Sequence, residues 1–305
     1  NRHVKDADDI AETARAKYPV YNFNKIYLDA YQRVNTPAGA RYPDVNIAIL
    51  NAMNKGTLIM NYVGHGGVSN WAHERVFNLN DIQQLKNKTT LPLFVTATCE
   101  FSKFDKSGGQ TAGEVLINNP NGGAIALITT VRLVYSSQNY ELNSALFNYI
   151  FEPYHGHVPT MGELLSSAKN SIDKDANNRK FLLLGDPALK LNYPQLNVVT
   201  TEVNGNPVGI NNDTIKALQQ VTIKGEIRNW NGTVASDFNG VVFPTVFDKI
   251  STLTTLRNTG SSSKMDFKIY RNTLFNGKSS VANGAFSFSF IVPKDIDYQV
   301  SKGRI

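Results

Sequence analysis

An α/β domain with a mostly parallel sheet flanked by helices, followed by an all-β domain, is the fold class predicted by three features of this 305-residue chain. Two runs of strand-forming residues, 57–63 and 91–98, flank a capped helical stretch at 80–87, the pattern of a strand–crossover–strand unit. A third run, 123–129, follows another helical stretch, so the pattern repeats. Beyond Tyr193-Pro194 the helical period disappears, and short strands punctuated by Asn-Gly turns take its place.

Taken in order, the first helical period covers residues 10–18, with Asp8 and Asp9 placed to cap it. A short strand is expected at 25–28 and a helix at 44–54. The runs TLIMNYV (57–63) and LPLFVTAT (91–98) are apolar and β-branched between Gly, Pro and polar punctuation, as buried strands are. In the stretch between them Asn80 can cap and Gln83 can answer it, while Ile82 and Leu85 supply one apolar face. A helix over 110–118 leads to the third strand, and helices over 139–151 and 161–174 are expected to pack on the sheet. Gly185-Asp186-Pro187 reads as a turn in which Asp186 has a structural role.

The second part reads as short strands at 196–203, 221–227, 241–248, 265–270, 278–281 and 285–292. Asn204-Gly205, Asn231-Gly232, Asn276-Gly277 and Asn283-Gly284 are turn signals between several of them. The run from Ala285 to Phe290 alternates strictly, as a half-buried strand does. An immunoglobulin-like β-sandwich is expected, without the cysteine pair of antibody domains. The boundary is placed at 1–194 and 195–305, with the first domain expected to lack its first strands and the second to be incomplete.

The net charge of +6 and pI near 9.2 come from scattered lysines and arginines, with no dense basic run and no nucleic-acid module, so nucleic acid is not expected as a partner. A mildly basic surface suits an anionic glycolipid or an acidic peptide. No run of about 18 apolar residues occurs, and the first residues are polar rather than signal-like. One cysteine excludes an internal disulfide.

That cysteine carries the functional reading. His65 ends the first long strand in NYVGHGG (61–67) and Cys99 ends the second in FVTATCE (94–100). A crossover makes the strands parallel neighbours, which brings a thiol and an imidazole side by side at the carboxyl edge, where open α/β sheets bind ligands. An imidazole beside a thiol yields a thiolate nucleophile and then a general acid for the leaving amine. Gly66 and Gly67 let backbone N–H groups approach a substrate carbonyl, and the Gly66 and Cys99 N–H groups are the expected oxyanion donors. On residues alone, the bland reading of a buried core cysteine and a turn histidine stands beside this one. His155-Gly-His157 has no acidic or thiol partner at ligand spacing and reads as a solvated loop.

The chain resembles the gingipain-type cysteine peptidases, whose fold is caspase-like. The resemblance runs through KIYLDAY (25–31), AHERV (72–76), TATCEFS (96–102), GGAIALITT (122–130) and FLLLGDPALK (181–190). Within that family it is nearest the surface-sortase branch of the type IX secretion system. The resemblance implies His65 as general base and acid and Cys99 as nucleophile. It implies removal of the C-terminal sorting domain of secreted cargo and attachment of the cargo to anionic lipopolysaccharide through a thioester. It further implies a place at the outer-membrane surface of a Gram-negative bacterium and an outer-membrane β-barrel partner. A secreted protease that only hydrolyses, or a catalytically silent surface scaffold, are the alternatives. No cofactor is expected, though relatives hold structural calcium. The His-to-Cys separation of 99 − 65 = 34 positions and the Thr-Cys-Glu context depart from the caspase signature. The substrate pocket is expected to use Glu100 and Phe101 after the nucleophile, and Thr130, Val131, Arg132 and Tyr135 after the third strand. Glu100 should oppose thiolate formation unless Arg132 or another cation answers it.

Overall fold

The structure, a computed structural model, describes residues 2–210, 214–260, 262–296 and 299–305. The chain divides into two compact units, Asn1–Asn192 with Thr254–Met265, and Tyr193–Leu253 with Asp266–Ile305. The inserted segment belongs to the first unit through backbone bonds: Leu256 N–H donates to Asp29 O at 2.7 Å. The Asn258 N–H and amide both reach Asp29 Oδ1, at 2.8 and 3.0 Å.

The first unit is built on a four-stranded sheet in the order Ile59–Val63, Leu93–Ala97, Ala126–Thr130, Phe181–Leu184. The first three strands are parallel and the fourth is antiparallel. Leu93–Ala97 and Ala126–Thr130 are buried at every residue, which is why their sequences run apolar and β-branched instead of alternating. The fourth strand was not expected: four residues, FLLL, offer no period to read. It pairs Leu127 with Leu184 and Thr130 with Phe181.

Helices Arg2–Lys17, Pro43–Lys55, Ala112–Asn118, Ser136–Tyr149 and Met161–Asn170 surround the sheet. Pro43 opens its helix where a missing N–H costs nothing. Thr111 with Glu114, and Thr160 with Glu163, form capping boxes that fix two starts. The crossover helix is shorter than expected, Leu79–Gln83, and its cap is Asn78 with Asp81 in place of Asn80 with Gln83. Asn78 Oδ1 accepts from Asn80 N–H and Asp81 Oδ2 accepts from Asn78 N–H, both at 2.9 Å. Cα pairing also builds a small antiparallel sheet from Gly66–Gly67, Asn70–Trp71 and Phe77–Asn78, just after His65.

The strand expected at 25–28 does not form. This segment has no strand partner among the described residues and is held by side chains instead. Lys25, only 4% exposed in its side chain, binds Asp8 and Glu12 of the first helix, each at 2.5 Å. Tyr27 donates its hydroxyl to Asp8 at 2.9 Å. The core beneath gathers Val45, Ile49, Met53, Trp71, Phe77, Phe94 and Leu127.

The second unit carries a six-stranded antiparallel sheet in the order Asn206–Pro207, Asn197–Val203, Gln220–Arg228, Ala285–Ile291, Ser279–Ala282, Gly240–Val242. Phe286, Phe288 and Phe290 point inward while Ala285, Ser287, Ser289 and Ile291 stay exposed, matching the alternation. Phe275, from the strand pair Thr245–Phe247 and Thr273–Asn276, stacks on Phe288 and Phe290 at 5.2 and 5.0 Å. Asn204-Gly205 and Asn283-Gly284 have positive φ at both residues, the geometry that suits two-residue hairpin turns.

Candidate active site

Register sets the site. Val63 pairs with Ala97 at the ends of parallel strands, and Gly64 N–H donates to Ala97 O at 3.4 Å. His65 and Cys99 each lie two residues beyond that pair, 65 − 63 and 99 − 97, so they occupy matched places at the carboxyl edge. Neighbouring strands are about 4.8 Å apart, which puts imidazole and thiol on adjacent chain ends.

Each partner is fixed by its surroundings. The His65 carbonyl accepts the Tyr62 hydroxyl and the Ala72 N–H, both at 2.7 Å. Tyr62 stacks on Trp71 at 4.3 Å, and Trp71, 1% exposed, adjoins Phe77, Phe94 and Phe101. The His65 imidazole itself is exposed, with the His3 ring 4.9 Å away at 83° and the His73 ring at 5.8 Å. Cys99 is a half-buried free thiol whose sulfur lies 3.7 Å from the Val134 carbonyl, which can accept its proton.

Buried hydroxyls lock the strand that leads to Cys99 to the next one. Thr96 Oγ1 donates to Thr129 Oγ1 at 2.8 Å, Ser102 Oγ lies 2.9 Å from the same oxygen, and Thr130 Oγ1 donates to Thr98 O. Such buried polar groups stay because each finds a partner. Thr98 Oγ1 is the exception: it is buried without a hydrogen bond, facing Gly66.

The backbone donors follow from the same register. Gly66 is opposite Trp71, and Ala72 N–H donates to His65 O, which makes Gly66–Trp71 a non-hydrogen-bonded pair. The Gly66 N–H therefore points away from its own hairpin. The Cys99 N–H makes no hydrogen bond among the described residues.

The pocket residues divide. Phe101 is fully buried against Trp71, and Thr130 is fully buried with its hydroxyl turned to Thr98, so neither walls an open pocket as expected. The reason is packing: the aromatic cluster and the hydroxyl ladder claim both side chains. Val131 is half-buried, Arg132 exposed, and Tyr135 is 69% exposed with the Lys180 ammonium 5.4 Å from its ring centre. Glu100 is half-buried and answered by Lys103 at 2.7 Å, whereas Arg132 is engaged bidentately by Asp105 at 2.9 and 2.5 Å. That bonding holds the Asp105 carboxyl below its usual range. His157 leans on Glu163 at 3.2 Å rather than joining a metal set. Among the described residues no group of three His, Cys, Asp or Glu could hold a metal ion, and no helix is long and apolar enough to cross a membrane.

Sequence reasoning missed His3. Its only signal was a place in the first turn of a helix whose register was read to start later. An open recess of about 300 Å³ beside it is lined by Arg2, Asp29, Tyr42 and Glu74 with Thr259 and Ser262.

A parallel sheet with thiol and imidazole at matched strand ends is the architecture of a cysteine peptidase, and residues 1–192 match the model of peptidase family C25. The chain belongs to that family. Among solved structures, the Arg-specific cysteine proteinase gingipain R is similar with a TM-score of 0.50 at 18% identity, covering 96% of this chain and 56% of that one. Dimeric latent PorU from Porphyromonas gingivalis is 31% identical over 60% of this chain and 18% of its own, with a TM-score of 0.34. The chain thus spans little more than half of that gingipain chain and less than a fifth of that PorU chain. No curated protein sequence matches it significantly.

Proposed function

We propose that this protein is a cysteine endopeptidase and transpeptidase that releases secreted cargo from its C-terminal sorting domain and joins it to anionic lipopolysaccharide at the cell surface. One observation carries the chemistry: the Val63–Ala97 register that sets His65 beside Cys99. The Cys99 thiolate attacks the scissile carbonyl carbon, and the Gly66 and Cys99 N–H groups receive the developing oxyanion. As the C–N bond breaks, His65 gives its proton to the leaving amine, and a thioester remains on Cys99. An acceptor amine, deprotonated by His65, attacks the thioester and restores the thiol. Water in the acceptor's place makes the same enzyme a plain protease, so the outcome depends on excluding water until the amine arrives. Thiol and imidazole suffice for these steps without a cofactor.

Support for the sortase reading lies in the family-like words spread over 25–190, and in a net charge of +6 that suits an anionic acceptor. An outer-membrane β-barrel partner belongs to the same reading. The second unit is proposed as an immunoglobulin-like support for the catalytic one, on the strength of its antiparallel sheet and the Phe275 strand packed over it.

The test is the rate of Cys99 alkylation against pH in the full protein and its His65→Ala variant, followed by cargo-peptide turnover with and without an amine acceptor. Fast labelling near neutral pH that slows in the variant, with product formation that requires the amine, supports the proposal. Acceptor-independent hydrolysis reduces it to a protease. Slow, His65-independent labelling leaves only the silent scaffold.

A further inference from the structure

We propose that His3 is a positioning residue for His65, a second imidazole packed against the general base from the first helix. This rests on the reading of His65 as that base. The geometry comes first. The two rings stand 4.9 Å apart at 83°, an edge-to-face arrangement of the kind aromatic pairs prefer. His65 is exposed, so no burial of its own fixes its ring plane. The rings that neighbour the imidazole are His3, and His73 tilted 40° at 5.8 Å, of which His3 is the closer. A base that must take a proton from Cys99 and return it to a leaving amine gains from such restraint, because misalignment is costly in proton transfer.

Second, His3 Nδ1 is buried and has no hydrogen-bond partner, although a buried polar atom normally finds one. A structural histidine would be expected to spend that nitrogen on a bond. Here the ring packs instead against the His65 imidazole.

Charge makes the pairing workable. Burial holds His3 below the usual histidine range, and His65 and Arg2 push it the same way. The other charged and titratable groups about it are Arg2 on its own helix, which pairs with Asp6, His65 from the loop after its strand, which in turn neighbours His73, and Asp29, Tyr42 and Glu74 around the shared recess. The Asp29 carboxylate is already bonded by Asn258, which leaves Glu74 as the carboxylate of that recess that makes no hydrogen bond or ion pair among the described residues. A neutral His3 tolerates an imidazolium at His65, the form required beside the thiolate. A charged His3 would repel it. The pair is therefore competent only above the pH at which His3 charges.

The experiment is an NMR titration of the His3 and His65 ring signals in the full chain, alongside the pH profile of Cys99 alkylation in the parent, His3→Phe and His3→Ala. In the parent, His3 should titrate below the usual histidine range, and the His65 signal should carry a second inflection at that pH. His3→Phe keeps a flat ring and should remove the second inflection while alkylation near neutral pH stays within about threefold. His3→Ala should slow alkylation by about tenfold, a part of the 10²–10⁴ that a placed base supplies. Independent titration of the two histidines in the parent overturns the proposal, whether or not His3→Ala folds. So does a folded His3→Ala with the parent's alkylation profile. Alkylation indifferent to His65→Ala would instead overturn the role given to His65, and the two failures are thereby told apart.

Discussion

Gly66→Ala and Gly67→Ala are expected to differ sharply, although the two glycines are adjacent and look alike in sequence. At Gly66 an added Cβ would lie 2.5 Å from Thr98 Oγ1, 3.2 Å from Thr98 Cγ2 and 3.1 Å from Asn70 O. At Gly67 it would meet nothing within 4 Å. Thr98 is 1% exposed and cannot swing into solvent, so residue 66 must move. Overpacking of this kind costs about 1–3 kcal/mol in stability. The larger effect falls on chemistry, since moving residue 66 moves its N–H, and losing one oxyanion donor costs about 2.7–4 kcal/mol, or roughly 10²–10³ in kcat. The assay is kcat/KM on a cargo-derived peptide, with thermal melting alongside. Gly66→Ala should lose about 10²-fold in kcat, and Gly67→Ala should stay near the parent. Adding Thr98→Ala to Gly66→Ala removes two of the three close contacts and should recover part of the loss, giving a coupling of about 1 kcal/mol in the cycle. Equal effects at the two glycines, or no coupling to Thr98, would refute the reasoning.

Four further outcomes are expected. Cys99→Ala should abolish turnover with an unchanged circular-dichroism spectrum and melting temperature; surviving cargo cleavage would sink the nucleophile assignment. Lys25→Met strands the Asp8 and Glu12 carboxylates around a 4% exposed site and should cost about 3 kcal/mol in denaturant unfolding, the lower end for broken buried pairs because Glu12 keeps Arg15; a loss under half that size would show the pair to be solvated. Burial opposes ionisation of Glu12, but its bonds to Arg15 and Lys25 outweigh that and hold its carboxyl below the usual range. Its stabilising contribution is thus present above the ordinary glutamate pKa and lost as pH falls through the lower folded value, so Glu12→Gln should flatten the acid limb of melting temperature against pH; a parallel limb in the variant would contradict this. Tyr135→Ala, at a 69% exposed side chain, should raise KM for peptide while leaving the melting temperature within a degree or so, by the small effects of surface substitutions.

Much of the parallel sheet was legible because buried strands of an α/β sheet are apolar throughout, and LFVTA and ALITT are. The neighbouring placement of His65 and Cys99 was legible for a related reason: a crossover fixes which edge the strand ends share, whatever the loops do. Other features depend on contacts no local pattern encodes. KIYL, at 25–28, has strand-forming residues but no ladder, and its lysine turns to the first helix instead. FLLL, at 181–184, is a strand only because Ala126–Thr130 offers it an edge. The pocket was read from chain position alone, which cannot say that Phe101 joins the Trp71 cluster or that Thr130 bonds Thr98. His3 was invisible for the same reason, because 62 positions, 65 − 3, separate it from the ring it touches.

The charges around Cys99 bear on how the thiol is activated. Glu100 follows Cys99 directly and has φ of 51°, a left-handed conformation that non-glycine residues adopt at some cost. The turn is held by Glu100 N–H donating to Arg132 O at 3.3 Å and by Lys103 on the carboxylate. Of the cations that could answer Glu100, Arg132 or another, it is Lys103 that does so, and Arg132 spends its guanidinium on Asp105. The Glu100 and Asp105 carboxylates are therefore each matched by a cation of their own. It follows that Lys103→Gln should damage the site in a way that Arg132→Gln does not. Losing Lys103 leaves Glu100, the residue next to Cys99, uncompensated and should shift the rate of Cys99 alkylation downward, whereas losing Arg132 exposes only Asp105, a residue at the surface. Equal shifts in the two variants would mean that Arg132 reaches the thiolate after all, and that the local pairing seen here does not govern the nucleophile.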